Sequence, residues 1–344
     1  MKAEMQADSH GQWIKPEPNA AALQASQSTT LERHRQRVYD SIVDLIPNPE
    51  NPTPMVRLSR RFNTSEHLEI LLKLEGFNPF GSIKDRAALY LLRGMQLQPG
   101  QVLVEPSAGN TGIALAALAN AQGLSIEIAV PEGTPEEKKA LLRFLGAELL
   151  EIEDELCPLF PTEGARGVVK SMVESPAYQG KYASPNQYEN ELNVEAHYRT
   201  TGPEIWNQTG GQIDWFFAAF GTCGTITGVA KYLKERNPGV RVIGVEPAKR
   251  QHHLSGIKRI SDLPQEYEPT ILDRTLIDDI IAVEDDDAYR TGIRLARTEG
   301  IMVGPTTGAL LYAAQQVGAT EGGRAVVISP DNAMKYVSSY SRYL

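Results

Sequence analysis

The sequence predicts an α/β protein built on two open, twisted, mostly parallel sheets with helices on both faces. Three observations predict it. Short apolar runs alternate with helical patterns along most of the 344 residues, which is the mark of right-handed crossover units. Several predicted strands run directly into a glycine-bearing loop and then a helix, where open sheets place their ligands. The series pauses between about 176 and 212, where Tyr, Asn, Glu and Thr dominate. That pause predicts a link between two α/β domains, with a cleft between them.

Taken in order, residues 1 to about 30 are rich in Ala, Gln, Ser and Pro and lack periodicity. They read as a flexible extension or a docking arm, with Trp13 and Ile14 as its strong apolar anchors. Leu31, Val38, Ile42, Val43, Leu45 and Ile46 have helical spacing, and Pro47, Pro49, Pro52 and Pro54 then break regular structure. Strands are predicted at 68–74, 101–105, 125–130, 148–152, 215–219, 240–246 and 324–329. Helices are predicted at 86–95, 110–122, 135–145, 165–173, 225–235, 284–300 and 308–316. The domain reading is an N-terminal extension at 1–45, a smaller mobile domain at 80–190, and a larger domain formed by 46–79 and 191–344.

Composition narrows the function. Apolar residues make up 41% and charged residues 22% of the chain, and the formal net charge is −9. With no basic block to offset that charge, general nucleic-acid binding is excluded. The two cysteines, Cys157 and Cys223, lie in dissimilar contexts, so no disulfide framework is expected and a reducing compartment is. No apolar run is long enough for a bilayer, and no basic segment followed by an apolar core marks a secretory signal. The expectation is a cytoplasmic enzyme acting on small molecules, with no nucleic-acid or membrane partner and no metal site.

Four features carry candidate chemistry. Lys84 lies in Asn78-Pro79-Phe80-Gly81-Ser82-Ile83-Lys84-Asp85-Arg86, where a turn-rich loop enters a helix. An amine held there with a lowered pKa can form a Schiff base with a bound aldehyde. Glu105-Pro106-Ser107-Ala108-Gly109-Asn110-Thr111-Gly112 follows a strand and opens a helix, whose free N–H groups suit a carboxylate. Gly221-Thr222-Cys223-Gly224-Thr225 has the same setting, with glycines and hydroxyls that suit one phosphate. It has neither the Gly-Lys-Ser/Thr of a Walker loop nor the spacing of a dinucleotide fingerprint. Cys223 reads as a small buried filler rather than a nucleophile. In Gly304-Pro305-Thr306-Thr307-Gly308 a hydroxyl either caps the helix or hydrogen-bonds a ring nitrogen. An aldehyde, one phosphate and a pyridine together describe pyridoxal 5'-phosphate (PLP).

From about Asn51 onward the sequence resembles the cysteine synthase and cystathionine β-synthase family of fold-type II PLP enzymes, whose fold is like that of the tryptophan synthase β subunit. The resemblance is dense at 78–86, 105–117, 200–206, 221–228 and 298–314. It implies that Lys84 forms the internal aldimine and moves the Cα proton, and that Asn110 hydrogen-bonds the phenolic oxygen. Gly221, Thr222, Cys223, Gly224 and Thr225 would wrap the phosphate, and Thr306 would face the pyridine nitrogen. Ser107, Thr111 and Gln187, with the backbone of Ala108 and Gly109, would hold the substrate carboxylate, and the small domain would close over it. The implied reaction is β-replacement through an aminoacrylate: O-acetyl- or O-phospho-L-serine reacts with sulfide or a thiol to give L-cysteine. Alternatives are homocysteine as nucleophile, giving cystathionine, an amine giving a diaminopropionate precursor, or a serine/threonine dehydratase (lyase) activity. Relatives of this kind imply a homodimer.

Three departures stand out. Ala108 replaces the family's second hydroxyl, and Cys223 stands where glycine is commoner. Gly256-Ile257-Lys258-Arg259-Ile260 replaces a glycine-rich segment at the active-site mouth. Lys258 and Arg259 are therefore expected as substrate-binding residues, able to pair with the phosphate of O-phosphoserine or to lie solvated at the rim. His252 and His253 read as part of a polar loop. His10 and His34 have no cysteine partner in the extension, so a haem segment is not expected.

Overall fold

The computed structural model describes residues 38–153 and 164–344, together with the backbone of Gln6–Ala7 and Trp13–Ile14. The chain divides into two compact units, Met1–Asp44 and Leu45–Leu344. In the first, β1 (Gln6–Ala7) pairs antiparallel with β2 (Trp13–Ile14). The helical spacing at 31–46 yields only a 3-10 turn at Ile42–Leu45 among the described residues. Cys157, His10 and His34 lie outside the described residues.

The second unit holds two sheets. The larger has six strands, built from β3 (Met55–Arg57), β4 (Leu68–Leu74), β9 (Trp215–Ala219), β10 (Arg241–Pro247), β11 (Asp279–Val283) and β12 (Gly323–Ser329). Their order is β11-β10-β9-β12-β4-β3. Every pairing is parallel except that of β3, which runs antiparallel along β4 with Val56 opposite Leu72. The longest register pairs Gly323 with Leu68 through Ser329 with Leu74. The smaller sheet has the order β7-β6-β5-β8, from β5 (Val102–Pro106), β6 (Ile126–Pro131), β7 (Glu148–Ile152) and β8 (Tyr182–Ala183), all parallel.

Central strands here are apolar on both faces because helices cover both sides of a parallel sheet. Leu68, Ile70, Leu72, Phe216, Phe217, Val326 and Val327 are fully enclosed in the larger core. Val104, Ala129, Val169 and Met172 form a core at the smaller sheet. The helices are α1 (Lys84–Arg93), α2 (Asn110–Ala121), α3 (Glu136–Phe144) and α4 (Gly164–Glu174), then α5 (Leu192–Ala196) and α6 (Gly202–Thr209). They are followed by α7 (Gly224–Arg236), α8 (Asp285–Glu299), α9 (Pro305–Gly318) and α10 (Val337–Tyr340). Among the described residues no helix is long and apolar enough to cross a membrane.

The stretch read as a link, 176–212, is not a plain linker. It contributes β8 to the smaller sheet, then α5, a wide π turn at His197–Thr201 and α6. Its polar residues point inward: Asn193, His197 and Glu204 are all buried. Polarity concealed the helix because these groups have buried partners rather than solvent.

Candidate active site

Lys84 opens α1, and the loop before it is held from several sides. Asn78 donates to the Glu75 carbonyl (2.7 Å) and to the Glu75 carboxylate (2.8 Å). Gly81 takes φ +77°, where a side chain would be strained. The buried Asp85 carboxylate accepts from the Phe80 N–H at 2.6 Å, and burial raises its pKa to about 7. Two residues past Lys84, Arg86 anchors the helix from beneath. It bonds Glu75 (2.7 and 3.0 Å) and Glu204 (2.5 and 2.8 Å), and Lys73 reaches Glu204 at 2.7 Å. All four side chains are fully buried. Burial alone disfavours the Glu75 charge, but Arg86 and Lys73 outweigh it and hold the carboxyl well below its ordinary range. Two cations and two anions cancel, so this interior charge is neutral overall.

The Lys84 Nζ donates to Thr222 Oγ1 at 3.1 Å. Burial, aided by nearby Lys258, lowers the amine to about 8, so a useful fraction is unprotonated near neutrality. Thr222 belongs to the loop joining β9 to α7. A Cβ on Gly221 would come within 2.7 Å of the Gly256 carbonyl, and one on Gly224 within 2.2 Å of Asn193 Oδ1. Both positions therefore require glycine on steric grounds. Cys223 between them takes φ +71°, which explains why glycine is the commoner residue there. Its thiol is buried and pushed up to about 12, so it stays protonated and is no nucleophile. Asn193 braces the loop by donating to Thr222 Oγ1 (3.0 Å) and to the Gln187 carbonyl (2.8 Å).

Opposite lies the loop between β5 and α2. Ser107 Oγ accepts from the Gly112 N–H at 2.9 Å and, more distantly, from Gly109 at 3.4 Å. Thr111 donates to Gln187 Oε1 at 2.7 Å. Glu105, buried at the end of β5, accepts from Ser184 Oγ (3.0 Å) and from the N–H groups of Asn186 (3.1 Å) and Gln187 (3.3 Å). Burial raises its pKa to about 7 against those three donors. Asn110 donates to Asp331 Oδ2 at 2.7 Å and accepts from Lys335 Nζ at 2.8 Å. Burial also raises the pKa of Asp331, against the pull of Tyr336, Asn110 and Lys335.

The braced loops open onto one cavity of about 540 Å³, whose wall includes Lys84, Ser107, Ala108, Gly109, Asn110, Thr111, Gln187, Gly221, Thr222, Cys223, Thr225, Lys258 and Thr306. Thr306 Oγ1 lies 3.1 Å from the Ser255 carbonyl. Lys258 is 7% exposed, donates to the Tyr188 hydroxyl at 2.9 Å and sits 4.2 Å from that ring's centre. Arg259 is placed elsewhere. Its guanidinium binds Asp262 (2.6 Å) and the carbonyls of Pro247 (3.0 Å) and Ala248 (2.8 Å), and it does not line the cavity. The physical reason is that carboxylates and carbonyls away from the cavity, including Glu246 at 3.6 Å, already satisfy its charge. His252 and His253 also stay off the cavity wall.

Sequence reasoning missed three contributors: the Lys73–Glu75–Arg86–Glu204 network, the Asp331–Lys335 pair, and His197. The buried His197 ring contacts Thr201 Oγ1 (3.0 Å) and Thr225 Oγ1 (3.2 Å), and burial with the nearby cations keeps it neutral by lowering its pKa to about 3. The only signal was a set of charged residues inside otherwise apolar or motif-rich segments.

The residues fit PLP. A lowered amine, a glycine turn whose Cβ space is already filled, first-turn N–H groups of α7 and two hydroxyls match an aldehyde and a phosphate. The chain belongs to the pyridoxal-phosphate dependent enzyme family, whose pattern it matches over residues 46–331. It is thus a PLP enzyme of fold type II. Among curated relatives it is 39% identical to a cysteine synthase of Aquifex aeolicus over 88% of this chain and 92% of that one. It is 38% identical to cysteine synthase B of Pseudomonas aeruginosa over 88% of this chain and 97% of that one. The crystal structure of a cysteine synthase from Entamoeba histolytica superposes with a TM-score of 0.76 at 31% identity, covering 89% of this chain and 91% of that one.

Proposed function

We propose that this chain catalyses PLP-dependent β-replacement on O-acetyl- or O-phospho-L-serine with sulfide or a thiol, yielding L-cysteine. The observation that carries the reading is one cavity joining the Lys84 amine, the 221–225 turn, Asn110 and the 107–111 loop with Gln187. Bound PLP supplies a ring that withdraws electrons from Cα, so that a proton and then a β-substituent can leave. Lys84 Nζ would hold the aldehyde end of the cofactor, and its lowered pKa would suit it to accept a proton at the substrate Cα. The N–H groups and hydroxyls at Gly221–Thr225 would hold the phosphate. The Asn110 amide would meet the phenolic oxygen, and the Thr306 hydroxyl would meet the pyridine nitrogen. Ser107, Thr111 and Gln187 orient the substrate carboxylate beside the backbone of Ala108 and Gly109.

Lys258 supports the phosphorylated donor, because a cation on the wall of the same cavity favours a doubly charged leaving group over an acetate ester. Closure of residues 80–190 over the larger domain would exclude water during the reaction. That closure and the homodimer belong to the same proposal and rest on the family resemblance, and the cytoplasmic location rests on cysteine usage that suits a reducing compartment.

The test is to load the purified protein with PLP and supply sulfide with each donor. Saturable cysteine formation is expected from at least one. Failure with both donors, in protein that also binds no PLP, removes the proposal. Steady ketoacid release from plain serine without a second substrate would replace it with a dehydratase.

A further inference from the structure

We propose that Asp331 is a positioning residue for Asn110. With Lys335 it dictates which end of the Asn110 amide meets the cofactor's phenolic oxygen. The inference rests on the PLP reading of the cavity.

The two ends of an amide have nearly the same shape and opposite hydrogen-bonding character. Here each end has its own charged partner: Oδ1 accepts from the Lys335 ammonium at 2.8 Å, and Nδ2 donates to the Asp331 carboxylate at 2.7 Å. A flipped amide would turn its N–H groups on the ammonium and its oxygen on the carboxylate. Both contacts would then repel in a poorly solvated site.

The partners are themselves fixed. Asp331 is 4% exposed and accepts from the Tyr336 hydroxyl at 2.5 Å. Its other oxygen lies over Gly304, where a Cβ would come within 2.1 Å, so the absence of a side chain at 304 leaves room for the carboxylate. Lys335 is tied to the loop before Lys84 through the Phe80 carbonyl at 3.1 Å. Asn110 has two N–H groups, and Asp331 takes one. The Tyr336 hydroxyl, itself bound to Asp331, also lies within hydrogen-bonding reach of the amide, so the direction of the N–H groups is set from the same side.

The test compares wild type, Asp331→Ala, Asp331→Asn and Lys335→Met, with Asp331→Ala repeated in an Asn110→Ala background. The readouts are the absorption spectrum of bound PLP, its dissociation constant, and kcat and KM. Asp331→Ala should shift the cofactor's absorption balance and weaken PLP binding about tenfold, the value of one good hydrogen bond. It should lower kcat more than KM rises. Asp331→Asn keeps an acceptor oxygen and should recover most of the loss, while Lys335→Met should shift the same absorption. In the Asn110→Ala background, Asp331→Ala should add nothing. An unchanged spectrum and affinity in Asp331→Ala overturns the inference, as does an undiminished effect in the double variant. If wild type takes up no PLP, the functional reading fails as well, and the two failures are thereby told apart.

Discussion

The Lys84 amine sits 3.1 Å from the Thr222 hydroxyl, so the nitrogen proposed to take the aldehyde and the turn proposed to take the phosphate meet across residues far apart in the chain. Replacement of Lys84 by Ala should abolish borohydride-trapped PLP, read by intact-protein mass spectrometry, and lower kcat by about 10²–10⁴-fold. In the wild type, the rate of PLP capture should climb as pH approaches about 8 and level off above it, because only the unprotonated amine attacks. A flat rate between pH 6 and 9 would contradict the lowered amine.

Glu105 governs the second prediction. Its folded pKa of about 7 lies above the ordinary carboxyl value of 4.5, so the folded protein holds this proton more tightly than the unfolded chain does. The associated stability is complete below about 4.5 and lost as pH rises through about 7. Melting temperature should therefore decline over that window relative to Glu105→Gln. Substrate binding should respond the other way. Below about pH 7 the carboxyl takes up a proton and accepts more weakly from Ser184, Asn186 and Gln187, so the Gln187 loop is held less tightly. Wild-type KM should rise on acidification, whereas a Glu105→Gln variant should show a pH-independent KM over the same range.

The interior charge network yields a stability prediction. Arg86→Met leaves Glu75 and Glu204 facing Lys73 alone, and should cost about 3–5 kcal/mol in urea unfolding. Arg143→Ala removes a cation bonded to Glu136 at 2.7 Å, but those side chains are 47% and 73% exposed. Solvent screens that pair, and its loss should cost under about 1 kcal/mol. Equal costs for the two variants would show that the buried pairs have no special weight.

Lys258 and Arg259 separate cleanly. Lys258→Met should lower kcat/KM for O-phospho-L-serine about 10–100-fold, as expected for one charged hydrogen bond, with a much smaller change for O-acetyl-L-serine. Arg259→Met should affect both donors alike, because its guanidinium holds Asp262 and two carbonyls rather than the cavity. Steady-state kinetics with the two donors decide between them.

Much of the fold could be read from residue order alone. Leu68–Leu74 and Trp215–Ala219 are strands where the apolar runs predict them, because a strand covered on both faces has no polar phase to confuse, and Glu148–Ile152 is also a strand where predicted although it is a partly exposed edge. Met55–Arg57 is only three residues long and follows prolines, and Tyr182–Ala183 is two, too short for periodicity to register. The motif loops were legible because glycine and hydroxyl spacing is a local property. Arg259, Asp331 and Glu204 were not, because their roles depend on which way a side chain turns and on what lies there from distant parts of the chain.

The wide turn at His197–Thr201 has a consequence for how this enzyme can vary. At its first residue His197 reaches Thr225, and downstream Glu204 reaches Arg86 and Lys73. Removing one residue would restore an ordinary helix but rotate everything beyond by about 100°, swinging Glu204 away from both cations. Insertions and deletions should therefore be tolerated far less between 193 and 204 than substitutions are: here spacing, more than chemical identity, is the inherited quantity.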